Sequence, residues 1–199
     1  MTEIEPPCRL YLIAPGSLAP DALTPLADAG DIACLLLRDA DTQSRALTAA
    51  AQELGIAVLL SEDAKLAHSL GADGVHLASH SEVQAARRIL GEGSIVGVDC
   101  GTSRHAAMLA GEAEADYVAF SGREDAPGEA ADPDLLNWWQ VMMTLPCVAM
   151  GGVQLDQVGA LAEAGADFVA LEQAVWEHPQ GPAAALAEAQ HTLRQLLTK

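Results

Sequence analysis

One phrase recurs along the chain and constrains the fold more than any other feature. Residues 71–77 read Gly-Ala-Asp-Gly-Val-His-Leu and residues 165–171 read Gly-Ala-Asp-Phe-Val-Ala-Leu, while residues 114–120 give a weaker copy, Glu-Ala-Asp-Tyr-Val-Ala-Phe. In each copy a helical run ends, a tight turn follows, and a short apolar strand begins. A phrase that returns with the same local pattern indicates one supersecondary unit used several times. The unit here is helix, turn and buried strand.

Eight apolar strands alternate with eight helical segments when the whole chain is divided in this way. The predicted strands are residues 9–14, 32–37, 56–60, 94–98, 116–120 and 146–150, together with those that end the phrases at 71–77 and 165–171. Unbroken apolar runs are typical of strands that are covered on both faces, as in parallel sheets. Strict alternation with helices indicates parallel strands joined by helical crossovers.

Eight such units favour a closed (β/α)8 TIM barrel over an open doubly wound sheet. A Rossmann-type sheet would need Gly-x-Gly-x-x-Gly after its first strand, and residues 15–18 read Pro-Gly-Ser-Leu instead. We therefore predict a single TIM barrel domain over residues 1–199.

Four helix starts are predicted from capping residues. Thr24 precedes Pro25, Ser81 stands three residues before Gln84, Thr102 precedes a helical run, and Asp132 precedes Pro133. Serine, threonine and aspartate accept hydrogen bonds from the free N–H groups of a first turn, and proline fits the first helical position.

Charge and composition restrict the classes of partner. The chain carries 28 acidic and 10 basic residues, a formal net charge of -18. Such a surface repels nucleic acids and anionic membranes, so neither is expected as a partner, and a bound phosphate would need local donors. We find no apolar run near the roughly 20 residues of a membrane span, and residues 1–7 lack the pattern of a signal peptide. We expect a cytoplasmic protein.

The cysteines Cys8, Cys34, Cys100 and Cys147 form no CxxC pair and fall in or next to apolar runs. A free cysteine in such a run behaves as a small hydrophobic side chain, so we expect core packing.

The active sites of TIM barrels lie at the C-terminal ends of the strands, which restricts the candidate residues to those positions. Gly151 and Gly152 follow the seventh strand, where two glycines let the backbone approach a phosphate; the alternative is a tight turn alone. Arg38 follows the second strand and either holds a phosphate or pairs with Asp63. Asp63 is the candidate ligand for Mg²⁺, because hard cations take carboxylate oxygens. Alternatively, it opens a helix at the end that favours negative charge.

For His76 and for the pair Trp138 and Trp139, packing in the protein interior is weighed against a functional role. His76 lies within the fourth strand, where we expect it to fill a barrel layer rather than carry protons. Trp138 and Trp139 are expected to pack in the core; an exposed pair would instead predict contact between two copies, and we keep a homodimer as an open expectation.

The motifs, taken in order, resemble thiamine phosphate synthase and its thiazole tautomerase relatives. They are Ala-Asp-Gly-Val-His-Leu at 72–77, Ala-Asp-Tyr-Val at 115–118, Pro-x-Val-Ala-x-Gly-Gly at 146–152 and Gly-Ala-Asp-x-Val-Ala at 165–170. The resemblance spans residues 10–175 and implies the barrel fold. It also implies a synthase that joins a pyrimidine diphosphate to a thiazole phosphate, with Mg²⁺ on the diphosphate leaving group. The related tautomerase aromatises the thiazole phosphate with a histidine.

The chain departs from this pattern at the strand ends. Of the family's Gln-x-Arg-x-Lys after strand two only Arg38 remains, and of the Asn-Asp pair after strand three only Asp63 remains. Residues 78–81 replace a metal-binding Gly-Gln-x-Asp, and Gly101 stands where the tautomerase has its histidine. Residues 121–127 replace a loop with threonine and lysine. Losing two lysines disfavours a diphosphate by several kcal/mol, on the order of 1.5–3 kcal/mol per charged hydrogen bond.

Two hypotheses follow from these residues. The leading one is an enzyme of the thiamine phosphate synthase type, acting on a small phosphorylated substrate, with Mg²⁺ as cofactor at Asp63. The second is a catalytically inactive or repurposed relative that binds a small ligand or a protein. The sequence identifies no catalytic residue. The predicted substrate-binding residues are Arg38, Asp99, Ser121, Arg123, Gly151, Gly152 and Gln173.

Overall fold

The structure, a computed structural model, describes residues 8–122 and 129–197 and contains a closed barrel of eight parallel strands. Each strand pairs with the next along the chain, and the last pairs with the first, for example Leu12 with Leu171. The strands are β1 (Arg9–Pro15), β2 (Ile32–Arg38), β3 (Ala57–Ser61), β4 (Gly74–Leu77), β5 (Ile95–Asp99), β6 (Tyr117–Phe120), β7 (Cys147–Ala149) and β8 (Phe168–Leu171). The predicted (β/α)8 fold is confirmed.

Helices follow the strands and cover the barrel. They are α1 (Leu23–Ala29), α2 (Arg45–Glu53), α3 (Ala64–Leu70), α4 (Val83–Leu90), α5 (Arg104–Glu112), α6 (Pro133–Met142), α7 (Val158–Glu163), α8 (Gln173–Trp176) and α9 (Pro182–Leu196). The four-residue α8 was not predicted. Its Trp176 donates Nε1–H to the Ile13 carbonyl at 2.8 Å, which ties the chain after β8 to β1. Within the described ranges, every helix is too short or too polar to cross a membrane.

Two predicted helix starts are wrong because short 3-10 turns lead into the helices. The turn Pro20–Ala22 precedes α1, so Thr24 lies inside the first helical turn rather than at its cap. The turn His80–Glu82 precedes α4, and its cap is Ser79, which accepts a hydrogen bond from the Ser81 N–H at 3.3 Å. A second serine two residues away is an equal candidate in sequence, and the backbone conformation decides between them.

Of the other two predicted helix starts, one is wrong and one is confirmed. The cap of α5 is Ser103 and not Thr102, because the Ser103 hydroxyl accepts from the Ala106 N–H at 3.1 Å. The start of α6 is confirmed: Asp132 accepts from the Asp134 N–H at 2.9 Å, and Pro133 is the first helical residue.

Alternate residues of each strand face two separate cores. One set packs between strands and helices, and the other fills the interior of the barrel. The interior set comprises Tyr11, Ile13, Cys34, Leu36, Leu59, Tyr117, Ala119, Val148, Met150 and Ala170. Because side chains alternate with a period of two, Arg38 continues the inward row of Cys34 and Leu36. By the same argument Ser121 continues the row of Tyr117 and Ala119. Both rows lead to the open C-terminal end of the barrel.

The recurring phrase builds the opposite, N-terminal end of the barrel. Asp73 accepts a hydrogen bond from the Val58 N–H at 2.7 Å, Asp116 from the Val96 N–H at 2.6 Å, and Asp167 from the Cys147 N–H at 2.8 Å. Each aspartate thus precedes an even-numbered strand and binds the start of the odd-numbered strand before it. In TIM barrels this end serves stability rather than chemistry.

All four cysteines are buried and free, as their positions in or next to apolar runs predict. Burial raises the pKa of Cys8, Cys100 and Cys147 to about 12, and it raises the pKa of Cys34 further. These thiols are therefore protonated and unreactive in the folded protein.

Candidate active site

A cavity of about 460 Å³ opens at the C-terminal ends of the strands. Its apolar part includes Leu36, Leu60 and Met150, which belong to β2, β3 and the exit of β7. Its polar residues are Arg38, Asp39, Ser61, Glu62, Asp63, His76 and Asp99. We call this space the mouth cavity. It brings together three predicted site residues, Arg38, Asp63 and Asp99.

Arg38 is the one arginine or lysine among the described residues that line the mouth cavity. Its Nη1 lies 3.2 Å from Glu172 Oε1, and both side chains are about half exposed. The ion pair joins the end of β2 to the residue after β8. A phosphate that binds Arg38 must therefore compete with Glu172, and not with Asp63 as the sequence suggested.

Asp63 has the structural role that the sequence offered as an alternative. It caps α3, and its Oδ1 accepts from the Leu66 N–H at 2.8 Å. No described residue donates to its second carboxylate oxygen, and Asp63 also lines the mouth cavity. Capping and metal binding are therefore compatible at this residue.

The donor set suits a magnesium ion that arrives with a substrate better than a resident one. Among residues 8–122 and 129–197 we find no group of three histidine, cysteine, aspartate or glutamate side chains placed to hold a metal. Magnesium is usually bound by one or two carboxylates plus substrate phosphates and water. Asp63, with Glu62 and Asp39 beside it in the mouth cavity, meets that weaker requirement.

Asp99 organises the loop after β5. Its Oδ1 accepts from the Gly101 N–H at 2.9 Å and from the Ser121 hydroxyl at 3.2 Å. Asp99 and Ser121, both predicted as substrate-binding residues, are thus in contact. Both residues help to join the exits of β5 and β6.

The backbone is strained at the exits of β2 and β3. Asp39 has φ 50° and Glu62 has φ 62°, in the left-handed region that side chains other than glycine rarely adopt. Both residues line the mouth cavity. Strain of this kind concentrates at functional sites, where surrounding contacts hold it in place.

His76 is buried in the barrel wall and also reaches the mouth cavity. Its Nδ1 lies 2.8 Å from the Tyr117 hydroxyl. Burial lowers the pKa of His76 to about 4, with nearby Asp99 opposing the shift and Arg38 adding to it. The prediction that His76 fills a barrel layer agrees with its burial, and at neutral pH its ring is uncharged.

Of the two glycines after β7, Gly152 lines a different space from Arg38. Gly152 contributes to a second cavity of about 760 Å³, between the exits of β6 and β7, with Gly122 and Gln154. The two glycines have φ 82° and 38°, and neither donates its N–H to another described residue. Two unpaired N–H groups could bind an anion, which supports the predicted phosphate site.

The remaining predicted residues lie apart. Gln173 opens α8, donates to Glu177 at 2.9 Å, and lines an outer groove rather than the mouth cavity. Arg123 lies outside the described residues. Of the tryptophan pair, Trp139 is buried as expected, whereas Trp138 is partly buried with Arg104 4.4 Å above its ring. The homodimer stays a prediction.

Sequence reasoning missed two partners in this site, Glu172 on Arg38 and Tyr117 on His76. Both partners come from strands distant in sequence, so motif reading alone does not reveal them. The period-two rule would have helped, because Glu172 continues the inward row of Phe168 and Ala170 and Tyr117 belongs to the inward row of β6.

A closed parallel barrel with a polar cavity at the C-terminal ends of its strands, and with glycine N–H groups after β7 that donate to no other described residue, is typical of TIM barrels that act on phosphorylated ligands. The chain belongs to the thiamine monophosphate synthase family, whose sequence profile matches residues 10–175. The resemblance inferred from the motifs is confirmed.

Individual relatives agree with this family. A thiamine-phosphate synthase of Rhodospirillum centenum is 44% identical, covering 94% of this chain and 98% of the relative. One from Hyphomonas neptunium is 42% identical, covering 91% of each chain. A thiamine phosphate pyrophosphorylase structure from Pyrococcus furiosus superposes with a TM-score of 0.80 at 20% identity, covering 95% of this chain and 96% of the other, which shows the shared fold.

Proposed function

We propose that this protein catalyses the thiamine phosphate synthase reaction, joining a pyrimidine diphosphate to a thiazole phosphate and releasing pyrophosphate. The observation that carries the proposal is the mouth cavity of this chain, which belongs to the family, with Arg38 and Asp63 at the exits of the neighbouring strands β2 and β3. The close relatives named as thiamine-phosphate synthases cover almost the whole chain. The small phosphorylated substrates expected from the sequence follow from the same family.

The residues of the chain contribute mainly by positioning and by electrostatic stabilisation. Arg38 would release Glu172 and bind a phosphate oxygen, and the N–H groups of Gly151 and Gly152 would bind the second phosphorylated substrate. Asp63 would hold Mg²⁺, which when bound neutralises charge on the diphosphate leaving group. Leu36, Leu60 and Met150 form the apolar part of the cavity wall and would pack against the uncharged part of a bound substrate.

The direct test is to incubate the protein with both substrates and Mg²⁺ and to measure thiamine phosphate by chromatography. Arg38→Gln is expected to lower kcat/KM by at least tenfold, since a charged hydrogen bond contributes roughly 1.5–3 kcal/mol. Arg88→Gln is the matched control, because it removes the same charge from the exposed face of α4. Absence of product, or equal effects of the two substitutions, would refute the proposal.

Asp63 can be tested so that its two roles separate. Asparagine is as good a helix cap as aspartate, whereas alanine is not. Asp63→Asn is therefore expected to keep stability but require more Mg²⁺ for half-maximal activity. Asp63→Ala should show the same Mg²⁺ effect and in addition lose about 1 kcal/mol of unfolding free energy. An unchanged Mg²⁺ requirement in Asp63→Asn would remove this residue from the metal site.

One observation favours a second function, that of a non-catalytic binding protein. Arg38 is already paired with Glu172, and the mouth cavity also holds several carboxylates. This function predicts no turnover. It also predicts that pyrophosphate and thiazole phosphate leave the melting temperature unchanged, which the same protein samples can test by thermal shift.

A further inference from the structure

A chain of polar groups crosses the otherwise apolar interior of the barrel. The Tyr11 hydroxyl lies 2.9 Å from the Tyr117 hydroxyl, and the Tyr117 hydroxyl lies 2.8 Å from His76 Nδ1. All three residues are almost completely buried. The chain begins beside a small pocket of about 150 Å³, which Tyr11 and Tyr117 line at the far end of the barrel, and it ends at His76 in the mouth cavity.

The surrounding strands hold this arrangement rigidly. The rings of His76 and Tyr117 lie nearly parallel, with centroids 5.8 Å apart and an interplanar angle of 15°. Gly97 makes room for the phenol, because a Cβ at that position would lie 1.9 Å from Tyr117 Cζ. The Tyr117 ring thus packs directly against the backbone of β5, and its hydroxyl lies beside His76 Nδ1.

The chemistry of the groups decides the direction of the hydrogen bonds. Burial raises the pKa of both tyrosines well above the usual value, so both hydroxyls keep their protons. An imidazole nitrogen is a stronger base than a phenol oxygen, and a phenol is a stronger acid than a neutral imidazole N–H. Tyr117 therefore donates to His76 Nδ1, and Tyr11 donates to the oxygen of Tyr117.

The second ring nitrogen of His76 then carries the proton. Nε2 has no hydrogen-bond partner among residues 8–122 and 129–197, and every fully enclosed side-chain nitrogen or oxygen described has one. Nε2 must therefore be open to the mouth cavity, which His76 lines. At neutral pH the ring is uncharged, so it presents an N–H donor rather than a cation.

We propose that Tyr117, supported by Tyr11, is a positioning residue that holds His76 in the Nε2–H tautomer, so that the mouth cavity offers a neutral hydrogen-bond donor to the substrate. The substrate must then place an acceptor at this point, either a heterocyclic ring nitrogen or a phosphate oxygen. That part of the inference rests on the proposed function, because it requires the mouth cavity to be the active site. The tautomer itself does not depend on it.

The tautomer can be measured directly on the ¹⁵N-labelled full-length protein without substrate. Long-range proton–nitrogen correlation spectra distinguish protonated from unprotonated ring nitrogens, and His76→Gln assigns the signal among the six histidines. We expect a protonated Nε2 and an unprotonated, hydrogen-bonded Nδ1. A proton on Nδ1 in the unmodified protein would overturn the proposal, whatever the variants do.

Tyr117→Phe keeps the aromatic ring and removes only the donor. It is expected to shift the Nδ1 signal towards that of a free nitrogen and to mix the two tautomers, while Tyr11→Phe should produce a smaller change in the same direction. Unaltered His76 signals in Tyr117→Phe would contradict the positioning role. If Tyr117→Phe does not fold, the tautomer in the unmodified protein and the signal change in Tyr11→Phe decide the question.

Activity supplies an independent measurement. Tyr117→Phe should raise KM for one of the two substrates by up to roughly fivefold with little change in kcat, as expected when a neutral hydrogen bond of about 1 kcal/mol is weakened in ground and transition state alike. If the spectra show a protonated His76 Nε2 but the protein forms no thiamine phosphate, the proposed function is refuted and the positioning role of Tyr117 stands. An unchanged KM for both substrates would remove His76 from substrate recognition.

Discussion

Glu172 is the residue that most directly limits anion binding in the mouth cavity, because its carboxylate occupies Arg38. The pair is about half exposed and contributes at most about 1 kcal/mol. Glu172→Gln should release Arg38 and tighten pyrophosphate binding several-fold, measured by isothermal titration calorimetry. Glu177→Gln is the matched control, since it removes an equal charge beside the outer groove. Weaker binding by Glu172→Gln would mean that the glutamate contributes to the ligand site.

His76 gives the protein a defined response to acid. In the unfolded chain its imidazole is protonated below about pH 6.5, whereas the fold prevents protonation down to about pH 4. Between these values the unfolded state binds more protons, so stability falls as the pH is lowered through this window. The loss is on the order of 3 kcal/mol.

Urea denaturation at several pH values checks this expectation. The unfolding free energy of the unmodified protein should decline from pH 6.5 to 4 more steeply than that of His76→Gln, because the carboxylates titrate in both. Parallel curves would show that His76 does not resist protonation in the fold.

At the scale of an element, the weak copy of the repeated phrase carries a local defect. Its first residue, Glu114, has φ 66°, where the two strong copies have Gly71 at 75° and Gly165 at 103°. A side chain in this conformation costs roughly 1–2 kcal/mol, whereas glycine adopts it readily. Glu114→Gly is expected to raise the unfolding free energy by about 0.5–1 kcal/mol after the greater flexibility of the unfolded chain is subtracted.

Glu114→Ala is the control for that prediction, because it removes the same exposed side chain and charge but retains the strained backbone. It should leave stability within about 0.5 kcal/mol of the unmodified protein. If alanine stabilised the protein as much as glycine, the effect would come from charge and not from the left-handed turn.

The elements were predictable from sequence because their signals are local. Apolar runs of strand length and turn glycines located every strand of the barrel to within one or two residues, apart from β4 and β8, which were recognised by the phrase. The short helix α8 was not predicted because four residues are too few to show a helical period. The cap of α5 was assigned to the wrong residue because neighbouring serines and threonines are equivalent candidates until the backbone conformation is known.

The site was predictable only in part because its contacts are not local. The C-terminal rule for TIM barrels selected Arg38, Asp63 and Asp99, which the fold does bring to one cavity. Glu172 comes from the other end of the chain, and Tyr117 is 41 residues from His76 in sequence. Such pairs depend on closure of the barrel, which no single motif contains.

At the scale of the whole molecule, the net charge of -18 opposes compactness. Salt screens this repulsion, since the Debye length falls from about 30 Å at 0.01 M to about 8 Å at 0.15 M. Raising sodium chloride over this range should increase the melting temperature by a few degrees, as about 1 kcal/mol does for a chain of this size. A constant or falling melting temperature would show that attractive pairs such as Arg9 with Asp31 outweigh the net repulsion.

The four buried thiols can be used as probes of local opening of the barrel. Cys34 and Cys147 lie on β2 and β7, Cys8 lies directly before β1, and Cys100 lies directly after β5. The four thiols are therefore distributed around the barrel. A thiol-specific reagent can reach each one only while its part of the wall is open. Mass spectrometry of labelled peptides would then distinguish a barrel that opens all at once, with four equal rates, from one that separates at a single seam.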